Sequence, residues 1–402
     1  MMLTVAAAFK AVMQTVRDLG TETVPFETAT GRILREPVLA DRPFPPFDRV
    51  TMDGIAVSYD SFARGQHIFG VEDIQAAGTP QLQLSNTANC IEVMTGAILP
   101  EMTDTVIPYE HLTPSEHEGF RRFTVHKSVK YGQNIHRKGS DTDIGAELIK
   151  PGTLIGPAEA GVLATVGKTR VRVSKQPRVV LIATGDELVP VHATPEVHQV
   201  RMSNVYSMLA SLEHMGIKAS YVHLKDEEEE MRAQLQAMLQ DTDIWISSGA
   251  VSAGRFDYLP EVLQQLGMQQ VFHKVQQRPG KPFLFGTFEN GPVVFALPGN
   301  PVSGFMCFYR YVQPWIQAAT AAVVKEPEYA ELAQKVIFDA ELEYYLPVKL
   351  HSQPDGRVIA TPQPYQGSGD LGSLLKADAF LTLPLEENVF EKGSCYQVWR
   401  FR

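Results

Sequence analysis

The chain has 402 residues, 44% of them hydrophobic and 20% charged, with a formal net charge of -10. That length exceeds one ordinary domain, and that balance excludes a disordered or fibrous chain. The negative charge without a basic stripe excludes a general nucleic-acid binder.

The first residues, MMLTVAAAFKAVMQTVRDLG, repeat apolar side chains about every 3.6 residues between polar ones. They predict an amphipathic helix ending near Gly20 rather than a signal peptide. No apolar run approaches the roughly 20 residues that a membrane-crossing helix needs. The three scattered cysteines, Cys90, Cys307 and Cys395, argue against a disulfide scaffold or a thiolate zinc site and are expected as small buried apolar residues. A reducing, cytoplasmic setting is the expectation that follows.

Residues 24–147 are rich in proline and strand-like runs, with breakers at Pro43, Pro45, Pro46, Gly78, Pro80, Pro100 and Pro108. Cys90–Met94 and Phe123–His126 read as strands. Residues 148–174 contain a helix entered through Pro157, which joined with residues 1–23 predicts a discontinuous linker domain.

From Arg178 the pattern changes. Arg178–Ala183 is a continuous apolar strand, as a sheet covered on both faces requires. Further strands are predicted at Ala219–Leu224, Asp243–Ser247, Val271–Val275 and Val293–Leu297. Helices are predicted near Ser203–Gly216, Glu227–Leu239, Tyr258–Leu266 and Pro301–Ile316. Alternation at the spacing of right-handed crossovers makes residues 175–325 a doubly wound α/β domain. Residues 326–402 return to strands and turns and predict a small C-terminal β domain.

In an open parallel sheet, ligands bind outside the carboxyl ends of the strands. Three unusual loops fall there: Thr184-Gly185-Asp-Glu187, Ser247-Ser248-Gly249-Ala-Val-Ser252-Ala-Gly and Pro298-Gly-Asn300-Pro301. Glycine lets backbone N–H groups approach a ligand, hydroxyls and amides add partners, and the second and third loops lead into helix N-termini that favour phosphate. None is a Walker loop or a dinucleotide fingerprint. Together they predict one anionic-ligand site, with Arg278 and Lys281 of Arg278-Pro-Gly-Lys281 as cations beside it. Glu187, Asp226 and Asp257 near such phosphate cradles suggest Mg²⁺, a hard ion that takes oxygen ligands. Simpler roles stand beside that one. Asp226 or Asp257 would cap a helix, and Asp53 and Asp141 would stabilise turns.

The chain resembles the MoeA-type molybdopterin molybdenumtransferases, a family that includes the E domain of gephyrin. The resemblance is carried by PPFDRVTMDGIAV (45–57), VMTGAILPEMTDTVIPYE (93–110), NIHRKGSDTDIG (134–145), VVLIATGDELV (179–189), SNVYSML (203–209), ISSGAVSAGRFDY (246–258), RPGKPFLFG (278–286) and LPGNPVSGF (297–305). It implies four domains and a homodimer whose subunits share the active cleft. The implied reaction places molybdate on adenylylated molybdopterin with Mg²⁺ assistance and loss of AMP, downstream of a separate adenylyltransferase. It implies catalytic roles for Asp53, Asp141, Glu187 and Asp257, and metal contacts for Glu187, Asp226 and Asp257. Thr95, Lys274, Arg278 and Lys281 fall at its substrate-binding positions, Pro298 and Pro301 shape the third loop, and Ser368 would reach in from the C-terminal domain.

The chain departs from the family pattern at His136 for Arg, Ala250 for Gly, Arg255-Phe256 for an acidic-small pair, and Arg278 for Lys. Two other functions fit the same resemblance. Adenylylation of the pterin is usually the work of a lone α/β domain, and a scaffold of the gephyrin type would bring an added partner domain or long linker. The extra domains and the site carboxylates present here favour metal insertion.

Overall fold

The computed structural model describes residues 2–249, 257–323, 326–364 and 366–402. They divide into two compact units, one of Met1–Arg35, Pro151–Pro157 and Arg170–Arg402, the other of Glu36–Lys150 and Ala158–Thr169.

The larger unit is built on a six-stranded sheet in the order Ala219–Leu224, Val179–Thr184, Ile244–Ser248, Val293–Leu297, Leu284–Thr287, Gln269–Phe272. The first four run parallel. Alternate residues of Val179–Thr184 feed two different cores. Val179, Leu181 and Ala183 pack with Val205, Met208 and Leu212 of the helix Ser203–His214. Val180 and Ile182 pack with Met231 and Leu235 of the helix Glu228–Met238 and with Leu259 and Val262 of the helix Leu259–Gln265. Both faces are therefore covered, which is why this strand carries no polar alternation. The helix Val5–Met13, capped by the Thr4 hydroxyl, buries Val5, Ala8 and Val12 in the first of these cores.

Two features differ from the sequence reading. The strand placed at Val271–Val275 lies at Gln269–Phe272, and a further strand, Leu284–Thr287, runs antiparallel to its neighbours on both sides. Its hairpin with Val293–Leu297 turns through Asn290-Gly291, a pair of residues that favours tight reversal. The last helix begins at Pro301–Cys307, widens into a π-turn over Phe308–Val312 and resumes over Gln313–Ala319.

In the same unit, Glu343–Ser352, Val358–Pro362, Glu328–Leu332, Cys395–Arg400 and Ala379–Leu383 close into a barrel, since the first pairs with both the second and the last. Leu332, Leu346, Val348, Leu381 and Phe390 fill it. Contrary to the expectation of three buried thiols, Cys395 is exposed; Cys90 and Cys307 are buried. The short strand Gln277–Arg278 adds to the barrel beside Glu343–Tyr344.

The smaller unit carries a six-stranded sheet in the order Thr105–Pro108, Gly54–Val57, Asn89–Val93, Ile68–Gln75, Phe120–Val125, Leu112–His117. Ile55, Val57, Phe69, Cys90 and Phe123 fill one face, and Ala56, Ile91, Val93 and Val106 the other.

Candidate active site

The parallel strands end together, and a cavity of about 440 Å³ opens at their carboxyl ends. Thr184, Gly185 and Glu187 come from the first loop, Asp226 from the end of Ala219–Leu224, and Gly249 from the second loop. Asp257, Pro298, Gly299 and Asn300 complete the wall with Pro282. Glycine is required at two of these places. Gly185 sits at φ +124°, where an added Cβ would lie 2.3 Å from Glu187 Oε2. Gly249 sits at φ +107°, where a Cβ would lie 2.9 Å from Thr184 Oγ1. Both turns line the cavity together with Thr184, and the Gly249 N–H is itself held by the Leu297 carbonyl at 3.1 Å. The Thr184 hydroxyl is buried and has no partner among the described residues. A buried hydroxyl in that state is costly, and a ligand oxygen would satisfy it.

Asn204 ties the second and third loops, donating to Ser248 Oγ at 2.7 Å and to the Gly299 carbonyl at 2.8 Å. Ser248 is itself buried, so it supports the loop and does not wall the cavity. The carbonyl of Gly185 lies 2.9 Å from His223 Nε2.

The cavity is strongly acidic on one side. Burial pushes the Asp226 carboxyl above its ordinary range, and the nearby charges of Asp186, Glu187 and Asp257 push it further. Neither helix-capping role holds for these carboxylates. The helix Glu228–Met238 has Glu227 at its N-cap, and the helix Leu259–Gln265 has Tyr258 there. Among the described residues no group of three or more His, Cys, Asp or Glu is gathered tightly enough to hold a metal ion alone. Mg²⁺ does not ask for such a cage. It keeps waters and shares substrate phosphates with one or two carboxylates. The surplus of negative charge around Asp226 suits a cation of that kind, for which Glu187, Asp226 and Asp257 would be the oxygen donors.

A second cavity of about 360 Å³ shares Pro282, Pro298 and Asn300 with the first. Arg278 and Lys281 line it, with Pro279, Leu342 and Ser368. Ser368 does reach the third loop. Its hydroxyl accepts from Asn300 Nδ2 at 3.0 Å and its carbonyl accepts from the Val302 N–H at 3.0 Å. The loop bearing Arg278 and Lys281 is fixed from behind by the buried Gln277. Gln277 donates to the Gly280 carbonyl at 2.9 Å and accepts from Tyr311 Oη at 2.6 Å. Lys274 is exposed and lines neither cavity, while Pro301 occupies the first turn of its helix. Ser252, with Ala250 and Arg255-Phe256, lies outside the described residues.

Asp53, Thr95 and Asp141 belong to the smaller unit. Asp53 Oδ1 accepts from both the Thr95 N–H at 2.6 Å and the Thr95 hydroxyl at 2.7 Å. The hydroxyl first, and then the N–H, hold the exposed Asp53 carboxyl below its ordinary range. Asp141 Oδ1 lies 2.7 Å from His136 Nε2, whose Nδ1 lies 3.0 Å from Arg49 Nη2. A guanidinium only donates, so Nδ1 accepts and Nε2–H faces the carboxylate. Arg137, next to His136, pairs with Asp48 at 2.6 Å.

Sequence reasoning missed Asn204, Gln277, Leu342 and Asp186. Asn204 stood within a quoted motif, SNVYSML, and its amide was the available signal. Asp186 stood in the first loop beside Glu187, whereas Gln277 is held by Tyr311, 34 residues on, a pairing that leaves no local trace.

Three family matches cover the chain: the MoeA N-terminal region (domain I and II) over residues 3–167, the probable molybdopterin binding domain over 180–318, and the MoeA C-terminal region (domain IV) over 329–401. A molybdopterin molybdenumtransferase of Synechocystis sp. is 36% identical over 397 residues, covering 98% of this chain and 99% of that protein. The Bacillus subtilis molybdopterin molybdenumtransferase is 31% identical, with 95% and 90% covered. Among solved structures, the molybdopterin biosynthesis MoeA protein of Pyrococcus horikoshii superposes with a TM-score of 0.82 at 27% identity, over 100% of both chains.

Proposed function

The chain belongs to the MoeA family of molybdopterin molybdenumtransferases, and from that premise we propose that it inserts molybdate into adenylylated molybdopterin with release of AMP. The observation that carries this reading is the cavity at the strand ends, where glycine turns, an unpartnered Thr184 hydroxyl and an acidic rim meet the start of the helix at Pro301. The reacting parts of the substrate are a pyrophosphate and a dithiolene. No thiolate of the protein enters the metal's coordination on this reading, in keeping with two buried cysteines and with Cys395 lining neither cavity.

What the chain supplies is position and charge. The Gly185 turn, the unpartnered Thr184 hydroxyl and the positive end of the helix that begins at Pro301 would meet the phosphate oxygens. Arg278 and Lys281 bring positive charge from the adjoining cavity, and Asn300, held by Ser368, orients the third loop. Glu187, Asp226 and Asp257 would hold Mg²⁺, which when bound neutralises the phosphate charge that otherwise opposes attack on phosphorus. Asp53, steadied by Thr95, and Asp141, steadied by His136, act as further polar groups of the reaction. Ser252 and Lys274 belong to the substrate-binding set by their place in the family pattern.

The reading also includes a homodimer, a separate adenylyltransferase upstream, a cytoplasmic location and the four-domain division into 1–23 with 148–174, 24–147, 175–325 and 326–402. No described helix is long and apolar enough to cross a membrane.

The test is incubation of the purified chain with adenylylated molybdopterin, Mg²⁺ and molybdate. AMP release matched by metal-loaded pterin is expected, and Asp53→Ala and Asp257→Ala, both folded by circular dichroism, are expected to lose at least about 100-fold in rate. A wild-type chain that releases no AMP under these conditions rules the reading out.

A further inference from the structure

In the smaller unit, residues 48–51 run between two stretches that lead to site residues. On one side they pair with residues 96–99, just after Thr95. The Gly96 N–H donates to the Val50 carbonyl at 2.9 Å, the Val50 N–H to the Ala97 carbonyl at 2.9 Å, and the Leu99 N–H to the Asp48 carbonyl at 2.8 Å. On the other side Arg49–Val50 pairs antiparallel with Ile135–His136, with Arg49 opposite His136, and the Thr51 N–H donates to the Asn134 carbonyl at 3.1 Å. Asp53 follows directly, and Asp141 comes five residues after His136. One short segment therefore sets the backbone around Asp53, Thr95 and Asp141 together. Its side chains extend that hold. Asp48 accepts from Arg137 at 2.6 Å and from the Lys138 N–H at 2.9 Å. Arg49 Nη2 donates to His136 Nδ1 at 3.0 Å, and His136 Nε2 donates to Asp141 Oδ1 at 2.7 Å. A cation, a neutral ring and a carboxylate thus stand in line.

We propose that Arg49 is a positioning residue for the reaction: acting through His136, it holds the Asp141 carboxylate in its working orientation. This rests on the proposed catalytic part of Asp141. The guanidinium selects the tautomer, since a ring whose Nδ1 must accept carries its hydrogen on Nε2 and donates it to Asp141. Without Arg49 the other tautomer becomes open to the ring, and it would set a lone pair against the carboxylate. The cation also polarises the ring and so strengthens its bond to Asp141. Arg49 and Asp141 are exposed and His136 is half-buried. Exposed charge pairs contribute little to stability, which leaves orientation as what this line supplies.

The full chain is compared as wild type, Arg49→Met, His136→Leu, His136→Gln and the double variant Arg49→Met with His136→Leu. AMP release from adenylylated molybdopterin with Mg²⁺ and molybdate gives kcat and KM, calorimetry gives thermal midpoints, and ¹⁵N chemical shifts in alkaline buffer give the His136 tautomer. Wild type is expected to carry the ring hydrogen on Nε2, and Arg49→Met to show a mixture of tautomers. Arg49→Met and His136→Leu are each expected to lose about 10-fold in kcat, with KM and thermal midpoint nearly unchanged. The double variant is expected to lose no more than either alone, because both cut the same line. Glutamine offers an acceptor and a donor from one amide, so His136→Gln is expected to recover most of the loss seen in His136→Leu. Wild-type kcat in Arg49→Met overturns the proposal, and so do losses that multiply in the double variant. A loss in Arg49→Met that tracks a lower thermal midpoint, with no recovery in His136→Gln, marks a purely structural role and overturns it too. If wild type releases no AMP, the proposed function has failed, a separate outcome that takes the part given to Arg49 with it.

Discussion

Gly54 shows how narrowly a single residue is determined. A Cβ at this position would lie 1.9 Å from the Ile107 carbonyl oxygen and 2.8 Å from Pro108 Cα. The strand Gly54–Val57 pairs there with Thr105–Pro108, and the backbone approach leaves no room for a methyl group. Asp53 immediately precedes this strand, so the glycine also fixes where the Asp53 carboxylate emerges beside Thr95. Gly54→Ala is expected to destabilise the chain by about 3 kcal/mol, read from the denaturant midpoint, with the Asp53–Thr95 contact disturbed as well. An unchanged midpoint would mean that the sheet yields easily. In the sequence, Asp53-Gly54 looked like a turn. The clash that demands glycine comes from a partner strand about 50 residues away, as Gly54 pairs with Pro108.

At the scale of elements, the strand ends concentrate charge. Asp226 follows Ala219–Leu224, and that strand's parallel register with Val179–Thr184 brings it beside Asp186 and Glu187. Burial and these like charges raise its carboxyl in the folded state. A raised carboxyl contributes stability while it is protonated, below its unfolded value, and that contribution is lost as pH rises through the folded value. At neutral pH Asp226 therefore opposes folding unless a cation answers it. In metal-free buffer at pH 7, Asp226→Asn is expected to raise the thermal midpoint by about 2 °C, with variant and wild type converging below about pH 4. Adding Mg²⁺ is expected to stabilise wild type more than the variant. Equal Mg²⁺ shifts would remove Asp226 from the cation site. The three loops were legible because glycine, serine and asparagine after apolar strands are a local pattern. The π-turn at Phe308–Val312 was not, since its residues read as continuous helix.

Across the larger unit, one side chain joins three parts of the fold. Arg310 projects from the π-turn into a space between Phe9 of the N-terminal helix, 4.2 Å from that ring centroid, and Trp399 of the barrel, 4.5 Å away. Its Nε donates to Tyr345 Oη at 3.0 Å, and Tyr345 in turn donates to Glu343 Oε1 at 2.7 Å. Glu343 pairs with Gln277 at the edge that carries Arg278. Arg310→Ala is expected to cost about 3 kcal/mol and to speed amide exchange in Glu343–Ser352 and Val5–Met13 together, since both lean on the same guanidinium. Faster exchange in one of them alone would show that Arg310 does not couple them.

By itself the sequence determined what is local. The apolar runs are continuous where both sheet faces are covered, glycine falls where backbone must approach a ligand, and eight ordered motifs carry the family resemblance along the chain. It placed Thr184, Glu187, Gly249 and Asn300 at strand ends because strand, turn and helix each leave a short-range signature. Only the tertiary structure decided the rest. It set the antiparallel return of Leu284–Thr287, the closure of the barrel, the hold of Gln277 on the Arg278 loop and the reach of Ser368 to Asn300. Those pairings are made by residues far apart in the chain, and the free energy that selects among them comes from shared burial rather than from any one segment's own preference.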